Sequence, residues 1–211
     1  MSAARVVLWR HGRTRANAEQ RFQGQLDVPL DEVGRAQVAA AAAELAALEP
    51  AALVTSDLSR AADTAAALSA VTGLPAVPDP ALREVHAGAW QGLLHTEITA
   101  RWPQTYAAWR RGDDVRIGDT GETRGEVARR AAGAVERHAA AVPDGGTLVV
   151  AAHGAALKGA VLQLLGLAVT GWSVLAGFRN AHWAVLVPVG GGWSLAEYNV
   201  GPPGGGVGAE G

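Results

Sequence analysis

Side chains that could bind and attack a phosphoryl group stand where strand-like apolar runs of this sequence end. Arginine holds phosphate oxygens through a planar fork that stays charged at working pH, and a neutral imidazole can attack phosphorus. The three sets are Arg10 with His11, Ser56 to Arg60, and His153 with Gly154. If these run ends meet in space, they predict an anion pocket that contains two histidines and two arginines.

His11 is the candidate nucleophile of this pocket. Neighbouring positive charge makes a second cation costly, so Arg10 and Arg60 would keep the imidazole neutral. Taken singly, Arg60 also fits a solvent-facing helical arginine, and His153 fits a histidine satisfied within the fold. Because both residues follow strand-like runs, we favour a position in the anion pocket over these alternatives.

Glu84 is the candidate proton donor. It belongs to the run "PALREV", residues 80–85, which we interpret as β-type and which would bring a carboxyl group to the same pocket. A leaving alkoxide needs a proton, and the resulting carboxylate could then activate a water molecule. The alternative for Glu84 is a surface ion pair with Arg83.

Strand-like runs alternate with longer helical stretches, which is typical of an α/β sheet with crossover helices. We predict strands at residues 5–9, 51–56 and 147–154, and helices at 30–48, 57–73 and 155–166. Residues 181–189 and 192–200 flank a glycine cluster and predict an antiparallel hairpin at the sheet edge. Ligands of such sheets collect outside the carboxyl ends of the parallel strands, where the polar sets lie.

Two stretches interrupt this alternation. Between residues 88 and 125, tryptophans are spaced among charges, which suggests a helical insertion over the sheet edge whose aromatic side chains pack a cap. Residues 201–211 are so rich in glycine and proline that we expect disorder there. We therefore expect a single domain over residues 1–200 with a cap insertion at about 88–125.

Composition excludes several functional classes. The 211 residues carry 18 basic and 20 acidic side chains, for a net charge of -2, so no overall basic field favours nucleic acid or an anionic membrane. No cysteine is present, which excludes disulfides and thiolate chemistry. The first residues lack the apolar core of a signal peptide and no run approaches a membrane span, so we expect a cytoplasmic protein.

The motifs, taken in chain order, resemble those of the histidine phosphatase superfamily, also called phosphoglycerate mutase-like, over nearly the whole chain. The RHG signature is Arg10, His11 and Gly12. The other matching stretches are "RTRAN", "RFQGQLDVPLDEVGRAQ", "SDLSRAADTA", "LREVHAGAWQG", "GETRGEV" and "VVAAHGAALK". The resemblance implies a three-layer α/β/α sandwich with a mostly parallel sheet, one antiparallel edge strand and a small helical cap.

The same resemblance implies roles for individual residues. His11 would accept the phosphoryl group and Glu84 would donate the proton. The phosphate-binding residues would be Arg10, Asn17, Gln23, Arg60, His153 and Gly154. No cofactor and no metal is implied.

Several stretches point to one branch of the superfamily. "GQLDVPL", "SDLSRAADTA", "HAGAWQGL" and "RNAHW" are similar to the branch of glucosyl-3-phosphoglycerate phosphatases and broad-specificity phosphatases. The sequence departs from the family pattern at Ala155, where a second glycine is common, and at Thr123, where serine is common. From "RNAHW", His182 could line the substrate pocket.

Three functions are compatible with these residues. The first is a metal-independent phosphomonoesterase that acts on a small phosphorylated metabolite through a phosphohistidine on His11. The alternative is a cofactor-dependent phosphoglycerate mutase, for which the cap looks short. The third is a catalytically silent module that binds a phosphorylated ligand. We expect a homodimer, since the edge hairpin and the helix at 30–48 leave faces that could pair.

Overall fold

The computed structural model describes residues 3–202 and contains one six-stranded sheet. In chain order the strands are β1 (Arg5–Arg10), β2 (Ala52–Thr55), β3 (Ala76–Pro78), β4 (Thr147–Ala152), β5 (Trp183–Val189) and β6 (Gly192–Val200). Their spatial order is β3-β2-β4-β1-β5-β6. The first four run parallel, β5 is antiparallel to β1, and β6 pairs antiparallel with β5. The predicted mostly parallel sheet with an antiparallel hairpin at one edge is confirmed.

Helices cover both faces of the sheet. They are α1 (Arg15–Ala18), α2 (Glu32–Ala46), α3 (Ser59–Thr72), α4 (His95–Arg101), α5 (Pro103–Arg111), α6 (Arg124–Ala141) and α7 (Gly154–Leu164). Three short 3₁₀ turns lie at Pro80–Leu82, Gly88–Trp90 and Val169–Val174. The α4 and α5 helices fall inside the stretch for which we predicted a helical insertion.

Alternation along the strands divides the core into two layers. Successive side chains of a strand point to opposite faces, so each strand feeds both layers. On β1, Val7 and Trp9 pack with α2 and α3, whereas Val6 and Leu8 pack with α6 and α7. The central β4 is buried along its whole length, as expected for a parallel strand covered on both faces.

Two local predictions were wrong. The run "PALREV" does not form a strand: Asp79 Oδ1 accepts a hydrogen bond from the Ala81 N–H at 2.8 Å and caps the 3₁₀ turn Pro80–Leu82. The strand of this region is the shorter β3 before it. The helix predicted from residue 57 begins at Ser59 instead, with Leu58 at its N-cap, and the Asp57 carboxylate pairs with Arg83 at 2.7 Å.

The α6 helix was not anticipated from the sequence. It begins with a capping box, in which the Thr123 hydroxyl accepts from the Glu126 N–H at 3.2 Å and the Glu126 carboxylate accepts from the Thr123 N–H at 2.8 Å. Threonine therefore supplies the hydroxyl at the position where the family pattern usually has serine.

Two glycines allow α2 to pack closely against the loop that follows β1. A Cβ on Gly34 would lie 2.0 Å from the Arg13 carbonyl oxygen, and a Cβ on Gly12 would lie 2.4 Å from the Gly34 carbonyl oxygen. Both obstacles are backbone atoms, which cannot move aside as a flexible side chain could. The close approach fixes the loop that carries His11 against a rigid helix.

Gly34→Ala should therefore destabilise the protein although alanine favours helices. We expect overpacking to cost about 1–3 kcal/mol of unfolding free energy. Gly133→Ala is the matched control in α6, because its Cβ would meet only the Arg137 side chain at 3.7 Å, and it should stabilise by about 0.5–1 kcal/mol. Urea denaturation measures both, and equal changes in the two variants would show that the Gly34 contact is not constraining.

Candidate active site

The predicted polar sets converge at the carboxyl ends of β1, β2 and β4. Because β4 lies between β1 and β2, His153 after β4 is placed between the residues that follow its two neighbours. The ring centroids of His11 and His153 are 5.2 Å apart. The structure thus brings the two predicted histidines together.

His11 is buried and held in one tautomer. Its Nδ1 lies 2.7 Å from the Gly12 carbonyl oxygen. Since a carbonyl oxygen only accepts, Nδ1 carries the hydrogen and Nε2 keeps the lone pair. The Asn180 side-chain amide donates to the His11 carbonyl oxygen at 3.1 Å and supports the backbone behind the ring. The lone pair required of a nucleophile therefore lies on Nε2.

Arg60 is fully buried and makes three hydrogen bonds. Its Nε donates to His153 Nδ1 at 3.2 Å, and its two terminal nitrogens donate to the carbonyl oxygens of Gly24 at 2.8 Å and Leu26 at 2.7 Å. The solvent-facing alternative for this arginine is excluded. Arg60 instead joins the pocket to the loop at residues 24–26.

His153 is also buried, and its tautomer follows from its two partners. Arg60 can only donate, so Nδ1 of His153 accepts and the ring proton is on Nε2. That nitrogen lies 2.8 Å from Ser56 Oγ, which accepts it. A neutral His153 in this state presents one N–H donor on the side of the ring opposite Arg60.

Burial and positive charge keep both imidazoles neutral. The pKa of His11 lies well below 6.5 because burial penalises the charged form and because Arg60 and Arg10 repel a further proton. The pKa of His153 is lowered by burial, by Arg60 and by His11. The two neutral imidazoles thus keep a lone pair while the neighbouring arginines stay positively charged. Attack on an anionic phosphorus centre requires both properties.

These lowered pKa values predict that the fold loses stability in mild acid. Below the ordinary histidine pKa of about 6.5 the unfolded chain binds protons that the folded protein does not, so the unfolding free energy falls as pH falls. Between pH 7.5 and 5.5 each histidine should cost up to about 1.4 kcal/mol. Urea titrations at both pH values test this. His11→Gln should lose clearly less stability over this interval than the wild type, and an equal loss would contradict the prediction.

Arg10 and Gly154 meet at the start of α7. Arg10 is the last residue of β1, and one of its terminal nitrogens donates to the Phe178 carbonyl oxygen. Gly154 is the first residue of α7, and a Cβ there would lie 3.5 Å from Arg10 Nε. The guanidinium therefore packs against the amino end of a helix, where backbone dipoles also favour an anion.

Glu84 also binds the amino end of α7. Its carboxylate accepts hydrogen bonds from the N–H groups of Ala155 at 3.1 Å and Ala156 at 3.0 Å. The surface ion pair with Arg83 does not form, because Arg83 pairs with Asp57. Ala155 contributes through its backbone, so this departure from the family pattern leaves the contact to Glu84 intact.

Asn17 lies in α1 and Gln23 lies in the segment that follows this helix, and both bind Thr14. Asn17 Oδ1 accepts from the Thr14 N–H at 3.1 Å and from the Asn180 amide at 3.3 Å. Gln23 Oε1 accepts from the Thr14 hydroxyl at 2.9 Å. Through Asn180, which also binds the His11 carbonyl oxygen, Asn17 is tied to the nucleophile's backbone.

The stretch "RNAHW" contributes Asn180 to the site, a residue that the sequence did not single out. His182 instead packs under the chain at Gly201, where an added Cβ would lie 2.3 Å from its Nε2, and its Nδ1 lies 2.9 Å from the Asn180 carbonyl oxygen. The backbone N–H of Arg10 donates to the His182 carbonyl oxygen at 2.9 Å. No local motif marks these contacts, since the partners are about 170 positions apart in the chain.

Within residues 3–202, no group of three or more His, Cys, Asp or Glu side chains is placed to hold a metal ion. No helix in the same part of the chain is long and apolar enough to cross a bilayer.

Comparison with known proteins agrees with this geometry. The model of the histidine phosphatase superfamily, branch 1, matches residues 6–201. The chain belongs to the histidine phosphatase superfamily. This confirms the resemblance inferred from the motifs and, with it, the predicted enzyme class.

Relatives of this histidine phosphatase include a glucosyl-3-phosphoglycerate phosphatase of Mycolicibacterium vanbaalenii, 43% identical over 88% of this chain and 85% of the relative. A metal-independent phosphoserine phosphatase of Arabidopsis thaliana is 37% identical over 75% of this chain and 68% of that protein. A solved mycobacterial glucosyl-3-phosphoglycerate phosphatase in complex with VO3 superposes with a TM-score of 0.87 at 40% identity, covering 93% of this chain and 98% of that one.

Proposed function

We propose that this phosphatase hydrolyses a small phosphomonoester through a phosphohistidine on His11, and that glucosyl-3-phosphoglycerate is its substrate. One observation carries the mechanism: a buried imidazole has its lone pair fixed on Nε2 and is kept neutral by burial and by the charges of Arg60 and Arg10. The substrate is supported by the relatives named above, of which the 43% identical one carries that substrate in its name.

In the first step Nε2 of His11 attacks phosphorus. A P–N bond forms while the P–O bond to the leaving group breaks, and the departing oxygen takes a proton from Glu84. Arg10, Arg60 and the N–H of His153 bind the phosphoryl oxygens, where negative charge is concentrated in the transition state. His153 would exchange its bond to Ser56 for one to the phosphoryl group.

In the second step water attacks the phosphohistidine. Glu84, now a carboxylate, takes the proton from the water, the P–N bond breaks and its electron pair returns to Nε2. The products are inorganic phosphate and the starting enzyme. The hydrogen bonds from the Ala155 and Ala156 N–H groups orient the Glu84 carboxylate for this base role.

We also propose that residues 88–125 are the cap over this pocket. Trp109 of α5 and Ile117 line a cavity together with Ala155, whose N–H binds Glu84. The cap would then contact the leaving group and not the phosphoryl group. The cytoplasmic location, the homodimer and the absence of nucleic-acid or membrane partners stay predictions from the sequence, and the disorder predicted for residues 201–211 falls almost entirely outside the described residues.

A phosphate-release assay in the presence of a chelator tests the function. Candidate substrates are glucosyl-3-phosphoglycerate, 3-phosphoglycerate, phosphoserine, sugar phosphates and p-nitrophenyl phosphate. A kcat/KM of about 10⁴ M⁻¹s⁻¹ or more for glucosyl-3-phosphoglycerate would support the proposal. Isomerisation of 3-phosphoglycerate that depends on 2,3-bisphosphoglycerate would favour the mutase, and no release from any ester would favour the binding module.

A further inference from the structure

Two buried cations lie side by side outside the phosphoryl pocket. Arg124 at the start of α6 is 6% exposed, and Lys158, one turn into α7, is 7% exposed. Both stand over the ring of Trp172: the Arg124 guanidinium carbon is 4.7 Å and the Lys158 ammonium 5.0 Å from its centroid. Such cation–π contacts stabilise a desolvated cation in part but leave its charge uncompensated.

Neither cation has a carboxylate partner within residues 3–202. Arg124 donates to the backbone oxygens of Trp109 at 2.6 Å and Asp113 at 3.5 Å, and its Nε is buried without a hydrogen bond. Trp172 is the sole partner of the Lys158 ammonium in this part of the chain. Buried guanidinium and ammonium groups are ordinarily paired, so this pair is an exception.

The nearby acids are engaged elsewhere. Asp113 pairs with Arg111 at 2.8 Å, and Asp114 accepts from the Gly125 N–H at 2.9 Å. Glu122 pairs with Arg130 at 2.7 Å. None of these acids forms an ion pair with Arg124 or Lys158, although Asp114 and Asp113 attract Arg124 electrostatically.

Burial and neighbouring charges shift the pKa values of both groups. Burial, followed by the charge of Arg124, lowers the pKa of Lys158 to about 8. Burial lowers the pKa of Arg124 to about 10, against the attraction of Asp114 and Asp113. An anion beside Arg124 would stabilise the guanidinium directly and would offset the repulsion that Arg124 exerts on Lys158.

A cavity beside Arg124 is suited to a small anion. Its wall contains Arg124, Trp172, Trp109 and Ala155 together with Glu122 and several apolar side chains, whereas Lys158 lies outside the wall, and its volume is about 40 Å³. Since one water requires roughly 10–15 Å³ measured in this way, the space holds about three heavy atoms. That is the size of a carboxylate and too small for a second phosphate group.

The position of the cavity connects it to the reaction. Ala155 lines the cavity, and its N–H donates to the Glu84 carboxylate. Glu84 is the residue proposed to protonate the leaving oxygen. The cavity therefore lies on the leaving-group side of the pocket.

We propose that Arg124 and Lys158 form a carboxylate subsite that selects phosphomonoesters whose leaving group carries a carboxylate close to the ester oxygen. The inference rests on the proposed phosphatase function and assigns recognition of the substrate's carboxylate to two residues, which would serve phosphorylated hydroxy acids and amino acids as a class. Arg124 supplies hydrogen-bond donors in the cavity wall, and Lys158, which lies outside that wall against Trp172, supplies the second charge.

Two substrates that differ only at the carboxylate test this specificity. 3-Phosphoglycerate carries the carboxylate, and glycerol 3-phosphate has a hydroxymethyl group in its place. We expect the wild type to favour 3-phosphoglycerate in kcat/KM by at least about tenfold. Lys158→Met should remove most of that preference through KM while changing glycerol 3-phosphate less than about twofold, and Lys158→Arg should restore it.

Arg129→Met is the matched control, since Arg129 is an exposed cation on α6. It should leave the preference unchanged. A Lys158→Met protein that loses activity equally on both substrates would show a structural role for the lysine and overturn the subsite.

Binding separates this proposal from the proposed function. Calorimetric titration of the His11→Ala protein with each of the two ligands needs no turnover. Tighter binding of 3-phosphoglycerate that Lys158→Met abolishes supports the subsite, whereas equal affinities for the two ligands overturn it. If wild-type protein released no phosphate from any ester, the phosphatase proposal would fail, while the titration would still decide whether carboxylates are recognised.

Discussion

His11→Ala should reduce phosphate release by roughly 10⁴-fold or more, since the group that bonds to phosphorus is removed. The other anion-binding groups remain, so the variant should still bind the substrate with a dissociation constant close to the wild-type value. Rapid-quench labelling with a phosphorus-32 ester should give an acid-labile phosphoenzyme in the wild type and none in the variant.

The control for this experiment is His138→Ala. His138 lies on α6, outside the pocket, and its Nε2 is 2.9 Å from the Asp79 carboxylate, with which it forms a hydrogen bond. This variant should keep turnover and labelling. Wild-type rates in His11→Ala would remove the proposed mechanism, whereas normal turnover without a trapped phosphoenzyme in the wild type would point to direct attack by water.

Glu84→Gln should slow the enzyme by roughly 10²–10⁴-fold on alkyl phosphates, whose leaving oxygen needs a proton. On p-nitrophenyl phosphate the first step should be much less affected, because the phenolate departs unprotonated. Pre-steady-state bursts separate the two steps, and slow water attack in the variant should make the phosphoenzyme accumulate on the aryl ester.

Glu136→Gln, an exposed acid on α6, is the control and should behave as the wild type does. The contrast between the two leaving groups is the deciding readout. A Glu84→Gln protein slowed by the same factor on both esters in the first step would make Glu84 a positioning residue that orients the start of α7 through the Ala155 and Ala156 N–H groups.

The parts of the fold with regular apolar patterns could be predicted from the sequence. Continuous apolar runs gave β1, β2 and β4, and polar residues at their ends gave Arg10, His11 and His153. These predictions succeed because a parallel strand that is buried on both faces has a nearly continuous apolar sequence. The rule that ligands collect at the strands' carboxyl ends then located the pocket.

Elements whose formation depends on local capping or on small side chains could not be predicted in this way. The α6 helix buries chiefly alanines, so its apolar pattern is faint, although its Thr123 to Glu126 capping box was a usable signal. Asp79 converts the following residues into a 3₁₀ turn despite their apolar character. Capping by a single side chain outweighed strand propensity there.

The contacts that complete the site were beyond any local pattern. Glu84 meets the α7 N–H groups 71 and 72 positions away, and Asn180 meets His11 across 169 positions. Such pairings are set by the order of strands in the sheet, which no short motif encodes. The buried pair of Arg124 and Lys158 belongs to the same class, because α6 and α7 bring it together only after both have packed.

The strand order has a consequence for how the enzyme becomes active during folding. The strand between β1 and β2 is β4, which is synthesised more than 90 residues after β2. Closing so long a loop costs conformational entropy before any contact repays it, which slows assembly. A nascent chain that has emerged only as far as α6 lacks both His153 and the helix end that binds Glu84, so catalytic competence arrives in one step with the central strand.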